Sequence, residues 1–325
     1  ESKDDIGGGN KIIFHYQLIA QPQSTGVDNT NRNSFLGIMG SWGAFKMGTN
    51  ENVYERMMYS ADPLDGAVGP GGNLNLLGTP GQGVVFQAGQ GGANNAAGQV
   101  GFYRRSDQTI WYESPNWGGF SFEADYTLSA YKAVNAGLTD PVILSIGGKF
   151  QPEGGPFYVD LSYESHKDMF GANAIAGGVA PGTGTTSTDT GLQLGGGVTF
   201  GDVGLGLRYE ELKYKTNGIA AGLVSEYKRD AYWFAFKYTL PTGYVGAELG
   251  KAQAGKTNLA TVSSTDARLM AAGYFHNLSK QSQLQFIISR TDNAAQGTYA
   301  GIGSPNGGVA GADHDTFHVG LKHTF

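Results

Sequence analysis

The chain has 325 residues, with 53 Gly, no Cys, 12% aromatic and only 15% charged residues. A soluble domain usually carries about a quarter charged residues and far less Gly. The absence of Cys excludes disulfides and thiolate metal sites or nucleophiles, and a net charge of −6 without a basic run weighs against nucleic-acid binding.

Mean hydropathy is −0.26, and no stretch nears the ~18 apolar residues of a transmembrane helix. That does not separate a soluble protein from a membrane barrel, whose lipid-facing and lumen-facing side chains alternate and cancel. Residues 1–5 lack the basic start and apolar run of a signal peptide, as expected of a processed secreted chain or of a cytosolic one.

Taken in order, the chain alternates with a period of two. Strands are predicted near 10–20, 32–40, 43–50, 102–114, 118–130, 141–151 and 156–167. They continue near 188–200, 202–214, 228–240, 243–252, 265–278, 282–292 and 315–325. In 119–128 the residues Phe120, Phe122, Ala124, Tyr126 and Leu128 share one side, which places Phe122 near mid-strand, while Ser121, Glu123, Asp125 and Thr127 share the other. Phe157, Val159, Leu161 and Tyr163 repeat the pattern, as do Val203, Leu205, Leu207 and Tyr209. Most segments have roughly the 9–11 residues that let a tilted strand cross a bilayer.

The connections alternate strictly between short and long. Short ones lie at 41–42, 115–118, 152–155, 201, 241–242 and 279–281; long ones run about 21–31, 51–101, 131–140, 168–187, 215–227, 253–264 and 293–314. A β-sandwich has no reason to sort its loops this way, whereas an up-and-down barrel with short periplasmic turns must. The fold expected is therefore all-β, an antiparallel transmembrane β-barrel in one domain over 1–325. Trp42, Trp117, Phe120, Phe150, Phe157, Phe200, Tyr244 and Phe325 lie beside the short turns or at the end of the chain, as in an interfacial aromatic girdle.

Three stretches resemble the trimeric general-diffusion porins of Gram-negative outer membranes, in the neisserial and β-proteobacterial branch. Arg32–Gly48 is similar to that family's strand–turn–strand entering the third loop. Arg105–Pro115 with Gly119-Phe120 is similar to the strand leaving it. Leu278-Ser279-Lys280 with the ending 319–325 matches its turn and terminal strand. Residues 2–9 look like the family's first periplasmic turn, which implies that its first two strands have no counterpart here. Fourteen visible strands plus two would make the sixteen that the resemblance implies. Thr49 stands where the family pattern has Arg.

The resemblance implies a water-filled channel for passive diffusion of ions and small hydrophilic solutes, a homotrimer, contact with outer-membrane lipid and lipopolysaccharide, and no cofactor or metal. It also implies that 51–101 folds inward to narrow the pore. That loop offers Glu51, Glu55, Arg56, Asp62 and Asp65, and Arg32 and Arg105 match the family's lumen arginines. Lys46, opposite in parity to Phe45 and Met47, is expected to point inward. Lys11, Arg208, Lys237 and Arg268 share polar strand faces and are expected to line the lumen as well. Cations facing loop carboxylates would set a transverse field with a weak anion preference.

Three other readings remain open at this stage. They are a substrate-selective channel on the same barrel, an outer-membrane barrel hydrolase and a soluble lectin-like sandwich. The one dense acid–His cluster is Asp313-His314-Asp315, with Ser289 and Ser304 as candidate nucleophiles. No Walker or dinucleotide-binding glycine pattern is present, so the glycines read as packing positions in strands.

Overall fold

The structure is a computed structural model that describes residues 1–17, 19–20, 27–28, 33–64, 71–81, 101–128, 141–169, 171, 175, 184–259, 264–300 and 309–324. All fourteen expected segments form strands, and a fifteenth precedes them. In chain order these are β1 (Ser2–Gly7), β2 (Asn10–Tyr16), β3 (Ser34–Gly40), β4 (Gly43–Glu51) and β5 (Arg105–Glu113). Next come β6 (Phe120–Thr127), β7 (Val142–Phe150), β8 (Phe157–Lys167), β9 (Thr186–Phe200) and β10 (Val203–Asn217). The last five are β11 (Glu226–Leu240), β12 (Gly243–Ala252), β13 (Ala267–Asn277), β14 (Ser282–Asn293) and β15 (His314–His323).

Each strand pairs antiparallel with its chain neighbours, and the two-residue strand Lys256–Thr257 adds to β11, giving a 16-stranded sheet. The fourteen strands read from the sequence are all present, and the sheet reaches sixteen through residues 2–7 and Lys256–Thr257. Residues 2–7 are not a turn but a strand paired with β2, and the turn is the glycine run itself, with φ of 85°, 61° and 77° at Gly7, Gly8 and Gly9. Only glycine adopts three such conformations in succession at low cost. The sheet is not closed. β1 and β15 are its edges, and as the first and fifteenth of an antiparallel series they run the same way.

The two faces of the sheet invert the arrangement of a soluble protein. Leu36, Met47, Val159, Leu161, Leu194, Leu207, Leu249, Ile288 and Phe317 are exposed, while their neighbours of opposite parity, such as Asp160, Glu210, Arg208 and Glu248, are buried. An apolar face of this extent belongs against lipid rather than water. Trp42, Trp117, Phe120, Phe150, Phe157 and Phe200 are exposed beside the short turns. Tyr244 is not part of that girdle, because its ring turns to the polar face and stacks on Phe275 at 4.4 Å. Phe325 lies outside the described residues.

Between β4 and β5 lies the longest connection, with α1 (Val53–Met58) and 3-10 turns at Tyr59–Ala61 and Asn73–Asn75. Tyr54, Met58, Leu64, Leu74, Leu76, Leu77 and Phe102 form a buried cluster with wall residues Tyr214, Tyr227, Trp233, Leu269, Phe275 and Ile287. The apolar core of the molecule therefore lies between this connection and one face of the sheet. Contacts run from Asp125 on β6 to Leu269 on β13 and Ile287 on β14, which requires the sheet to curl around the connection.

Candidate functional site

Wall side chains seat the segment after β4 group by group. The first backbone N–H groups of a helix lack partners inside it; here Val53 donates to Asp125 Oδ2 at 2.7 Å and Tyr54 to Ser145 Oγ at 2.9 Å. At the other end of α1 the carbonyl of Met57 accepts from Arg208 Nη2 at 2.6 Å, a cation where the helix dipole favours one. Arg208 also holds Asp160 Oδ1 at 2.8 Å and Gln193 Oε1 at 3.0 Å.

A second clamp centres on Glu210. It accepts from Tyr54 Oη at 3.0 Å, from the Gly78 N–H at 2.8 Å and from Arg229 Nη1 at 2.6 Å. Arg229 in turn donates to the carbonyls of Leu76 and Thr79. Both ion pairs are fully buried. Removing one partner of such a pair typically costs about 3–5 kcal/mol, because the other charge is left uncompensated.

The residues named from sequence fall into separate groups. Arg105 pairs with Glu51 and donates Nε to Asn33 Oδ1 at 3.1 Å. Glu55 lies close to both and accepts from the Tyr59 hydroxyl. Burial first, then the charge of Glu51, pushes the Glu55 carboxyl up to about 7 against the opposing effect of Arg105. Arg56 reaches Glu123 on β6. Lys46 does point inward, yet its ammonium is held 2.7 Å from both oxygens of Glu113 and 5.0 Å from the Phe35 ring centroid. Asp62 accepts from the N–H groups of Leu64 and Asn73 at 2.8 and 3.1 Å, locking its own turn. Arg32 and Asp65 lie outside the described residues.

Adjacent-strand register thus supplies most of these cations with a carboxylate, and Arg105 meets Glu51 directly rather than across open space. Arg268 departs from expectation. Its neighbours Ala267 and Leu269 are buried against the inner side, so Arg268 is exposed on the outer, apolar face.

Sequence reasoning missed Lys149, whose parity with the buried Ser145 and Gly147 was the available signal. Its ammonium stands over the Tyr158 ring at 4.6 Å, as that of Lys237 stands over Tyr244 at 4.3 Å. Neither has a carboxylate partner among the described residues. A cavity of about 200 Å³ lined by Tyr158 and another of about 380 Å³ lined by Tyr244 share Asp62, Pro63 and Lys237.

The acid–His cluster does not converge. His314 is buried, whereas Asp313 and Asp315 bind Arg290 on the exposed side at 3.2 and 3.0 Å. Ser304 lies outside the described residues.

A curled antiparallel sheet with an exposed apolar exterior, a polar interior and a long connection clamped to that interior defines an outer-membrane β-barrel protein. Comparison with known proteins gives the family. The Gram-negative porin family matches residues 2–296, and the chain belongs to that family. The major outer membrane protein P.IA of Neisseria meningitidis serogroup A is 24% identical over 181 residues, 51% of this chain and 39% of the relative. The chain thus spans about two fifths of the length of that curated relative. Among solved structures, an anion-selective porin from Comamonas acidovorans superposes with a TM-score of 0.74 at 21% identity, covering 99% of this chain and 87% of the other. OmpT of Vibrio cholerae in a trimer form gives 0.64 at 14% identity, covering 99% and 88%. Family and relatives place the protein in the Gram-negative outer membrane.

Proposed function

We propose that this chain forms a water-filled channel for passive diffusion of ions and small hydrophilic solutes, with 51–101 as its constriction loop. The observation that carries the reading is the pair of buried clamps, Arg208–Asp160 and Glu210–Arg229, which fix the loop against the polar face of the sheet. No substrate chemistry is needed to explain these groups, since Arg208, Glu210 and Arg229 hold loop backbone and Asp160 holds Arg208 and the Ser60 hydroxyl. The reading is of a channel and not of a hydrolase, in keeping with the division of Asp313, His314 and Asp315 between two faces.

A weak anion preference follows from which charges remain available to solutes. Arg105, Lys46 and Arg208 are matched by Glu51, Glu113 and Asp160, whereas Lys149 and Lys237 have no ion-pair partner among the described residues. The anion selectivity named for the Comamonas relative points the same way. In a wet pore such charges act at high effective dielectric, worth on the order of 1 kcal/mol each at contact, and are screened over roughly 8–10 Å at physiological salt. The homotrimer is proposed from the family resemblance and from the trimer form of OmpT.

Planar-bilayer recordings test the reading. Conductance should rise linearly with salt, and reversal potential across a salt gradient should show a few-fold preference for chloride. Lys149→Gln with Lys237→Gln should remove that preference, while Arg105→Ala with Glu51→Ala should leave it. Absence of conductance overturns the channel reading, and saturable block by one solute class would assign a substrate-selective channel instead. A monomeric mass in mild detergent would overturn the trimer alone.

A further inference from the structure

The larger of the two cavities beneath the loop sits at the short-turn ends of β11 to β15. The turn at Asp62 and Pro63 lines it from the loop, and Lys237, Tyr244, Asn277, Gln283 and Lys322 line it from the wall. Its volume of about 380 Å³ has room for roughly a dozen waters, a size typical of small-molecule sites.

The charges around this cavity do not balance. Lys237, Lys280 and Lys322 line it, and among the described lining residues only Asp62 brings a carboxylate. Asp62 already accepts from the N–H groups of Leu64 and Asn73 at 2.8 and 3.1 Å. Lys237 is held in place without being neutralised. Tyr244 stacks on Phe275 at 4.4 Å, and the Lys237 ammonium stands 4.3 Å from the centre of the Tyr244 ring. A ring orients an ammonium through its quadrupole and brings no formal charge, whereas Glu113 cancels the charge of Lys46. Lys280, on the exposed turn between β13 and β14, has no ion-pair partner among the described residues.

The donor types narrow the ligand. No arginine is among the described lining residues, so the planar fork that reads a carboxylate is missing, and lysine ammoniums act as point charges that suit a tetrahedral phosphate. Beside them the lining is amide and hydroxyl. Gln285 Nε2 donates to Gln283 Oε1 at 3.3 Å and Gln283 Nε2 to Asn277 Oδ1 at 2.8 Å, a relay that ends on the exposed Asn277. Ser282 and Thr324 add hydroxyls. Amides and hydroxyls both donate and accept, as the alcohol groups of a ligand do. We propose that this cavity binds small phosphorylated sugars or polyols, with the phosphate among Lys237, Lys280 and Lys322 and the alcohol groups toward Asn277, Gln283 and Thr324. The inference rests on the channel reading for access of the solute, and on the lining of the cavity for its class.

Titration calorimetry of the full chain folded in mild detergent tests it, with glucose 6-phosphate, glucose, inorganic phosphate and succinate as probes. Wild type should bind glucose 6-phosphate saturably at one site per chain and more tightly than the other three. Lys237→Gln with Lys280→Gln should weaken that binding by roughly thirtyfold, the loss of two point charges at contact. Lys280→Gln alone, a change on an exposed turn that leaves the fold intact, should weaken it by about fivefold. Lys251→Gln, on the outer face of β12, should bind as wild type does. Calorimetry reads binding whether or not the chain conducts, so failure of this site is separate from failure of the channel reading. Absence of binding, wild-type affinity in the double variant, or an equal loss in Lys251→Gln overturns the proposal. So does equal affinity for glucose, for inorganic phosphate or for succinate, the last two marking a simple anion site.

Discussion

Replacing Leu194 by arginine puts a charge at the middle of the lipid-facing surface. Leu194 is the ninth of fifteen residues in β9, is 51% exposed, and lies opposite Leu161 and Tyr209 on the neighbouring strands. Sequence parity pointed to Phe122 for this test, but that ring packs against Trp117 and Tyr112 at the short-turn end, where the interface dilutes the effect. At the bilayer midplane an outward arginine costs about 2–4 kcal/mol, against ~0–1 near an interface. The midplane cost corresponds to a loss of roughly 30-fold to 1000-fold in the folded-to-unfolded ratio. Thr188→Arg, six residues nearer the long-loop rim on the same face, is the matched control. The assay is reversible urea unfolding of both variants in phosphatidylcholine vesicles, followed by tryptophan fluorescence. Unfolding midpoints that shift equally, or Leu194→Arg at wild-type stability, would refute the assignment of this face to lipid.

Glu210→Gln leaves Arg229 buried without its counter-charge and should loosen the loop, at a cost of about 3–5 kcal/mol; protease digestion of the folded barrel should cut within 51–101 where wild type resists, and equal resistance would count against the clamp. Deleting about 66–98 should raise single-channel conductance, and unchanged conductance would place the loop outside the pore. Burial raises the Glu55 carboxyl to about 7, so the folded state holds this proton more tightly than the unfolded one. Its contribution to loop seating is fully present below the ordinary carboxylate range and is lost as pH rises through about 7. Current noise should therefore grow between pH 5 and 8 in wild type and stay flat in Glu55→Gln; a wild type as flat as the variant would refute it.

Most of the strand ladder was legible because one face meets lipid and the other meets polar groups, which writes a period of two. The reading failed where that contrast vanishes. In β1, Ser2, Lys3, Asp4 and Asp5 are all exposed, and no face is marked. In β13 the inner face is also apolar, since Leu269, Ala271 and Gly273 lie under Leu64 and Gly71 of the loop, so the parity of Arg268 could not be read. The partners of Lys46 and Arg56 were hidden for another reason. Glu113 and Glu123 lie far along the chain and meet these cations only once register or loop seating is set. What sets Lys149 and Lys237 apart, the lack of a carboxylate partner among the described residues, is something no single strand reveals.

Several glycines of the wall stand opposite loop side chains. A Cβ at Gly147 would meet Val53 and Met57, at Gly191 Phe102 and Tyr54, at Gly246 Leu64 and Pro63, and at Gly250 Leu76, all at 3.4 Å or less. These vacancies in the wall are a cast of the loop, taken in a different part of the chain. The pair is therefore coupled in variation: enlarging a loop side chain is tolerated only where the facing wall residue stays small, and an alanine or valine in the wall would push the loop toward the axis and shrink the aperture. On the channel reading proposed above, the width of the passage would be written twice in this sequence, once in the loop that fills the space and once in the strand positions that were emptied to receive it.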